Sequence, residues 1–144
     1  MSKFQAIIIS IIFICSISYS QNIVGKIYTN AEANSLFGPV KISVEIASSQ
    51  LNNLTFQTTN YLMFRILSGN LTILADKRMV IYPVNSTINP QDVFRYLSVS
   101  LIRKIINNGN SSVTLIEERN NGIITLTNGI YTLEDSVLCP PFCY

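Results

Sequence analysis

The C-terminus holds two cysteines with three residues between them, in the run Cys139-Pro140-Pro141-Phe142-Cys143. A third cysteine, Cys15, lies in the apolar N-terminal segment, so losing that segment would leave an even number. An even number in an oxidising compartment favours a bridge, and we expect a disulfide between Cys139 and Cys143. Because the loop is short and contains two prolines, the expected stabilisation is about 2 kcal/mol or less.

The same cysteines leave a thiol-based function open. Redox enzymes usually place the attacking cysteine at a helix N-terminus, whereas the two prolines after Cys139 preclude a helix starting there. Two thiolates could also hold Cu(I), with Met63 or Met79 as a soft third ligand. Both methionines lie in predicted strands, where core packing is their ordinary role. A redox or Cu(I)-handling protein is therefore the alternative hypothesis.

Other catalytic chemistry finds little support in the sequence. The chain contains no histidine, which excludes Ser–His and Cys–His nucleophiles and histidine-ligated zinc within the chain. Carboxylates occur in two adjacent pairs, Glu117-Glu118 and Glu134-Asp135, but neighbouring strand residues point to opposite faces. We therefore expect solvated strand ends there. A hydrolase would need distant acids, such as Asp76, Asp92 or Glu45, to converge, and the sequence predicts no catalytic, cofactor-binding or metal-binding residue.

Charge is low and evenly distributed. Ten Lys and Arg against eight Asp and Glu give a net charge of +2, and 12% of residues are charged. The basic residues are scattered, which excludes the basic footprint of a nucleic-acid-binding protein.

The N-terminus has the layout of a secretory signal peptide. Lys3 is followed by an apolar run over Phe4–Ile17 and then by Ser18 and Ser20 ahead of Gln21. The run is too short to span a membrane, so we expect no stable membrane insertion after cleavage. The sequence predicts a signal peptide over 1–20, a single α+β domain over 21–138 and a C-terminal tail over 139–144.

Export has a consequence for asparagine residues. Four Asn-x-Ser/Thr triplets begin at Asn53, Asn70, Asn85 and Asn110. Exposed sites among them would carry glycans in a eukaryotic secretory pathway and would have no meaning in a bacterium. We predict a secreted or periplasmic protein.

The first half of the chain predicts a short helix and four strands. Thr29 and Glu32 have the spacing of a capping box, and Gly38 with Pro39 would end a helix at about 30–37. The next run, 40–46, alternates strictly, with Val40, Ile42, Val44 and Ile46 on one face. Residues 48–60 are ambiguous, with a short helix as one reading. Strands at 61–67, 71–75 and 79–82 form a meander, and the first is apolar on both faces, which favours the centre of a sheet.

The second half predicts one long helix and three strands. Asn89 is a natural N-cap, Pro90 suits the first helical position, and apolar residues recur every three or four positions as far as Ile106. Two Asn-Gly pairs, Asn121-Gly122 and Asn128-Gly129, predict hairpins between strands at 112–119, 123–127 and 130–134.

Together these elements predict an α+β fold. We expect a mainly antiparallel sheet of about six to seven strands, one long helix packed on a face and a short N-terminal helix. The function that fits is a non-enzymatic binding or interaction module without a cofactor. Its partner would be a protein or a small molecule, and not a nucleic acid.

Overall fold

The computed structural model of the protein describes residues 22–140, which form ten strands and three helices. The predicted signal peptide and Cys143 lie outside these residues. The strands are β1 Lys26–Thr29, β2 Val40–Ala47, β3 Tyr61–Leu67, β4 Asn70–Ala75, β5 Met79–Tyr82, β6 Phe94–Ser98, β7 Val113–Arg119, β8 Ile124–Asn128, β9 Tyr131–Glu134 and β10 Val137–Cys139. The helices are α1 Asn30–Phe37, α2 Ser48–Thr55 and α3 Val99–Asn108, and a 3₁₀ turn covers Asp76–Arg78.

The strands form two antiparallel sheets of five. Sheet A has the order β1-β9-β8-β7-β2, and sheet B has the order β10-β6-β3-β4-β5. The chain passes from sheet A to sheet B through α2, which follows β2, and returns through α3, which follows β6. Each sheet is therefore a three-strand meander from one half of the chain, extended by two strands from the other half.

One hydrophobic core lies between the two sheets. It contains the inner-face side chains of both sheets and the buried faces of α2 and α3: Ile46, Leu51, Leu54, Leu62, Phe64, Ile66, Leu71, Ile73, Ala75, Ile81, Leu97, Val99, Ile102, Ile105, Ile116, Ile124, Leu126 and Leu133. Burial of each large apolar side chain contributes about 1.5–3 kcal/mol before entropy is counted. This core holds the sheets in a fixed relation to each other.

A second, smaller cluster covers the outer face of sheet B. Its buried members are Tyr61, Met63, Leu74, Phe94, Tyr96 and Cys139. Side chains from the N-terminal segment and from the 83–93 loop, Val24 and Ile88, pack against it. Sheet B is thus apolar on both faces, in agreement with the double-sided apolar pattern of β3. That strand lies at the centre of its sheet, as its sequence predicts.

The expected architecture, one sheet with a long helix across it, is wrong. The described residues form two sheets with more residues in strands than in helices, and the longest helix, α3, has ten residues. The sequence pattern resolves individual strands but not the sheet to which each belongs. Helices α2 and α3 each connect a strand of one sheet to a strand of the other, and the strands are therefore divided between two layers.

The long-helix prediction fails at its N-terminal half. Asn89 and Asp92 close a turn on themselves: Asn89 N donates to Asp92 Oδ2 at 2.9 Å, and Asp92 N donates to the Asn89 carbonyl at 3.0 Å. The helix-capping residues are therefore used in a turn. The following residues form β6, and α3 begins only after Ser98.

The N-terminal helix agrees with its prediction. Thr29 Oγ1 accepts from Glu32 N at 3.3 Å, and Glu32 Oε2 accepts from Thr29 N at 2.9 Å, which completes the capping box. The hydrogen bonds that the Glu32 carboxylate accepts from Thr29 N and from Thr29 Oγ1 lower its pKa. Gly38 ends the helix with φ +77°.

The alternation of β2 is interrupted at its start. The register with β7 shifts between Val40, which is opposite Arg119, and Ile42, which is opposite Glu118. Since Arg119 and Glu118 are adjacent in one strand, Val40 and Ile42 lie on opposite faces. The expectation that Val40 shares the face of Ile42 is wrong at this one position.

Both Asn-Gly pairs lie where β7, β8 and β9 reverse direction. Gly122 and Gly129 have φ values of +74° and +61°, in the left-handed region. A Cβ atom on Gly129 would also lie 1.7 Å from Asn110 Oδ1 and 3.0 Å from Asn110 N, so any larger residue there would have to displace Asn110. The hairpin predictions are confirmed.

Among residues 22–140, no helix is both long enough and apolar enough to cross a membrane.

Candidate functional site

A cavity of about 260 Å³ opens at one end of the space between the sheets. Its walls are apolar except for two arginines and one glutamate. The lining residues are Phe64, Arg65, Ile66, Val93, Phe94, Arg95, Glu118, Gly122, Ile124 and Leu138. Concave, mainly apolar sites with a few polar groups are the usual form of small-molecule sites.

The cavity exists because β6 is shorter than its neighbour β3. Strand β6 pairs with β3 over Tyr61–Phe64 and begins at Phe94. The C-terminal part of β3, which includes Ile66, pairs with β4 on the other edge of β3 and is not paired with β6. This leaves a gap on the β6 side of β3, at the edge of the core.

Arg95 is placed in the cavity wall by the alternation of β6. It lies opposite Phe64 on β3 and opposite Leu138 on β10, and Phe64 belongs to the inner core. Arg95 therefore points to the inner face of sheet B. This is an unusual position for a cation, because isolated charges are costly to bury.

Arg95 keeps most of its donors available within the described part of the chain. Its Nη1 donates to the Ser136 carbonyl at 3.1 Å. Burial lowers the pKa of its guanidinium, and the Glu118 carboxylate acts in the opposite direction. A guanidinium stays charged in proteins and carries five N–H donors, so this wall can bind an anion.

Glu118 lies on the opposite wall, contributed by sheet A. On β7 it is opposite Ile124 of β8 and Ile42 of β2, which places it on the inner face. Its ion-pair partner is Lys41, with Lys41 Nζ and Glu118 Oε1 3.9 Å apart. The prediction that Glu117 and Glu118 point to opposite faces is confirmed, because Glu117 bonds to outer-face threonines instead.

Arg65 and Phe94 complete the rim. Arg65 Nη1 lies 2.8 Å from Asp92 Oδ2, and its guanidinium is 4.9 Å from the centre of the Phe94 ring. A hydrogen bond from the Asn89 backbone, then Arg65 itself, lowers the pKa of Asp92. Asp92 therefore offsets the Arg65 charge at close range. Of the other two charged residues in the lining, Glu118 has the more distant partner Lys41, and Arg95 has no ion-pair partner among the described residues.

The expectation that Glu134 lies at a solvated strand end is wrong. Glu134 is fully buried and forms an ion pair with Arg119, which is itself 1% exposed. Arg119 Nε donates to Glu134 Oε1 at 3.0 Å, and Nη1 donates to the Gly38 carbonyl. Burial raises the pKa of Glu134, and Arg119 offsets part of that effect. The pair ties the end of α1 to sheet A, so we regard it as structural.

The predicted disulfide stays a prediction. Cys139 ends β10 and is fully buried, and Arg78 Nη1 lies 3.4 Å from its Sγ. Of the two methionines considered as Cu(I) ligands, Met63 belongs to the same buried cluster as Cys139, whereas Met79 is 55% exposed. Among residues 22–140, no three His, Cys, Asp or Glu side chains group together as a metal site.

The distant acids considered for hydrolysis have separate local roles. Asp76 accepts three backbone N–H groups at the start of β3, from Thr59, Asn60 and Tyr61. Asp92 pairs with Arg65. The four glycosylation candidates, Asn53, Asn70, Asn85 and Asn110, are all exposed.

No protein-family model, curated protein or solved structure matches this chain significantly.

Proposed function

We propose that this protein is a small exported, non-enzymatic binding domain, secreted or periplasmic, whose ligand enters the cavity between the sheets. The ligand has an apolar body and an anionic group. The observation that carries the proposal is Arg95, an inner-face cation in an apolar wall whose described hydrogen bond uses one donor. Export is supported by the N-terminal sequence pattern.

The apolar walls account for the body of the ligand. Phe64, Ile66, Ile124 and Leu138 line the cavity from three strands: β3, β8 and β10, the edge strand of sheet B. Each apolar group that leaves water here adds to affinity in proportion to its buried area. The volume, about 260 Å³, limits the ligand to a small molecule or to one side chain of a larger partner.

The anionic group follows from the position of Arg95, a partly buried cation on the inner face of sheet B. A carboxylate on Arg95 would form charge-assisted, bidentate hydrogen bonds and would compensate the desolvation of the guanidinium. Binding is favoured over catalysis because the chain has no histidine and Glu118 has no second acid beside it in the cavity lining.

Calorimetry with isocaproate, a branched apolar carboxylate, tests the proposal. We expect the wild-type protein to bind isocaproate and to bind its neutral amide at least about tenfold more weakly, since a hydrogen bond to a charged group is lost. Arg95→Gln should remove this preference, and Arg95→Lys should restore it in part.

The matched control is Lys77→Gln, which removes one positive charge from the exposed turn between β4 and β5. It should leave binding unchanged. Circular dichroism of each variant verifies folding. Equal affinity for the acid and the amide, or equal loss in Lys77→Gln and Arg95→Gln, would overturn the proposal.

A further inference from the structure

The cavity carries two opposite charges on two different walls. Arg95 belongs to sheet B and Glu118 to sheet A, and both side chains lie on inner faces. The described residues contain no ion pair between them, although the Glu118 charge acts on Arg95. The space between them is part of the cavity that both residues line.

From this arrangement we propose that the ligand is an apolar amino acid in its zwitterionic form, with its carboxylate on Arg95 and its ammonium group on Glu118. The inference rests on the proposed function, because it uses the same cavity and the same role for Arg95. It adds the second charge of the ligand and hence its chemical class.

The charges disfavour the simpler ligands. A plain carboxylate bound to Arg95 would lie close to the Glu118 carboxylate, and like charges repel each other more in a partly buried site than in bulk water. A plain amine bound to Glu118 would meet Arg95 in the same way. A zwitterion satisfies both walls at once and is neutral overall, so it brings no net charge into the core.

The side chain of the amino acid would occupy the apolar part of the cavity. This part is formed by three residues of the inner core, Phe64, Ile66 and Ile124. Leu138, on β10, lies opposite Arg95 of the neighbouring strand β6. A branched or aromatic side chain fits these walls. A polar side chain would lose its hydrogen bonds to water without replacing them.

Lys41 provides an independent check on the role of Glu118. Its ammonium group is 3.9 Å from Glu118 Oε1, and its side chain is 57% exposed. The ligand's ammonium group would take this place or share it. Removal of Lys41 should therefore strengthen the binding of an amino acid and should not strengthen the binding of a carboxylate.

Three ligands of one shape separate the contributions: leucine, isocaproate without the amino group, and isoamylamine without the carboxylate. We expect leucine to bind at least about tenfold more tightly than either analogue, because isoamylamine makes no contact with Arg95 and isocaproate makes none with Glu118. Glu118→Gln should lower the affinity for leucine to that for isocaproate. Arg95→Gln should lower the affinity for both ligands. Lys41→Met should raise the affinity for leucine and should not raise the affinity for isocaproate.

The outcomes separate this inference from the proposed function. If isocaproate binds as tightly as leucine, the amino-acid inference is overturned while the binding cavity stands. If neither ligand binds, both are overturned. The comparison of the three ligands on the wild-type protein needs no variant, so the test holds even if Glu118→Gln fails to fold.

Discussion

The buried pair of Arg119 and Glu134 gives the sharpest test of how the fold is held together. The side chains are 1% and 0% exposed, and the pair also reaches the end of α1 through the Gly38 carbonyl. We consider Arg119→Met, Glu134→Leu and the double variant. Each single change leaves one charged partner in the protein interior.

The expected loss follows from this burial. Removing one partner of a buried ion pair costs about 3–5 kcal/mol, against a total stability of about 5–15 kcal/mol for a typical domain. Glu134→Leu should lie at the upper end, because Arg119 cannot release its proton. The double variant should recover most of the loss, since no unpaired charge remains.

The Arg119→Met variant should also depend on pH. Burial raises the pKa of Glu134 in the folded protein above its ordinary value of 4.5, and the loss of Arg119 raises it further. A raised folded pKa means that the contribution to stability is present below pH 4.5 and is lost as the pH rises through the folded value. The variant should thus unfold more easily at neutral pH than at pH 4.5.

Urea denaturation followed by circular dichroism measures these free energies. The matched control is the more accessible pair of Lys41 and Glu118, with side chains 57% and 21% exposed, whose coupling should be at most about 1 kcal/mol. If the double variant of the buried pair loses the sum of the two single losses, Arg119 and Glu134 do not stabilise each other and the reasoning is refuted.

Three further predictions concern local structure and use the same denaturation assay. Asp76→Asn weakens three backbone hydrogen bonds at the start of β3 and should cost about 1.5–3 kcal/mol; an equal loss in the exposed Asp135→Asn would contradict this. Thr29→Ala removes the capping box of α1 and should cost about 1 kcal/mol, with a matching loss of helical signal. Asn128→Leu removes a buried amide that donates to Ser48 Oγ at 2.8 Å and to Thr114 Oγ1 at 3.0 Å, and should cost at least about 2 kcal/mol; an unchanged stability would show that these hydrogen bonds do not stabilise the fold.

Local elements of this fold could be predicted where one signal dominates. The capping box of α1 and the glycines after Asn121 and Asn128 each satisfy a specific backbone requirement, and they form as expected. The double-sided apolar pattern of β3 also places it correctly at the centre of a sheet.

The β6–α3 segment could not be assigned in the same way. Phe94 and Leu97 are three residues apart, which suits one face of a helix. Phe94 and Tyr96 are two residues apart with Arg95 between them, which suits one face of a strand. Only the pairing of β6 with β3 and β10 decides between these periods. That pairing joins parts of the chain distant in sequence, so no local pattern contains it.

The candidate site depended on the same missing information. Arg95 and Glu118 belong to different sheets, and an arginine inside a supposed helix gives no reason to expect an inner-face cation. The pairing of Glu134 with Arg119 could be predicted from the sequence more readily. The two recognised hairpins, taken together, place Arg119 and Glu134 on one face of sheet A with β8 between them, so carrying the register through both turns would have suggested the pair.

Each sheet contains strands from both halves of the chain, so neither half contains a complete sheet. β1 and β2 complete the sheet built on the second meander, whereas β6 and β10 complete the sheet built on the first. A fragment that stops before β6 would lack two of the five strands of sheet B and would leave β1 and β2 without their neighbours. The two halves should consequently be unable to fold when made separately, yet able to recover the intact architecture when combined.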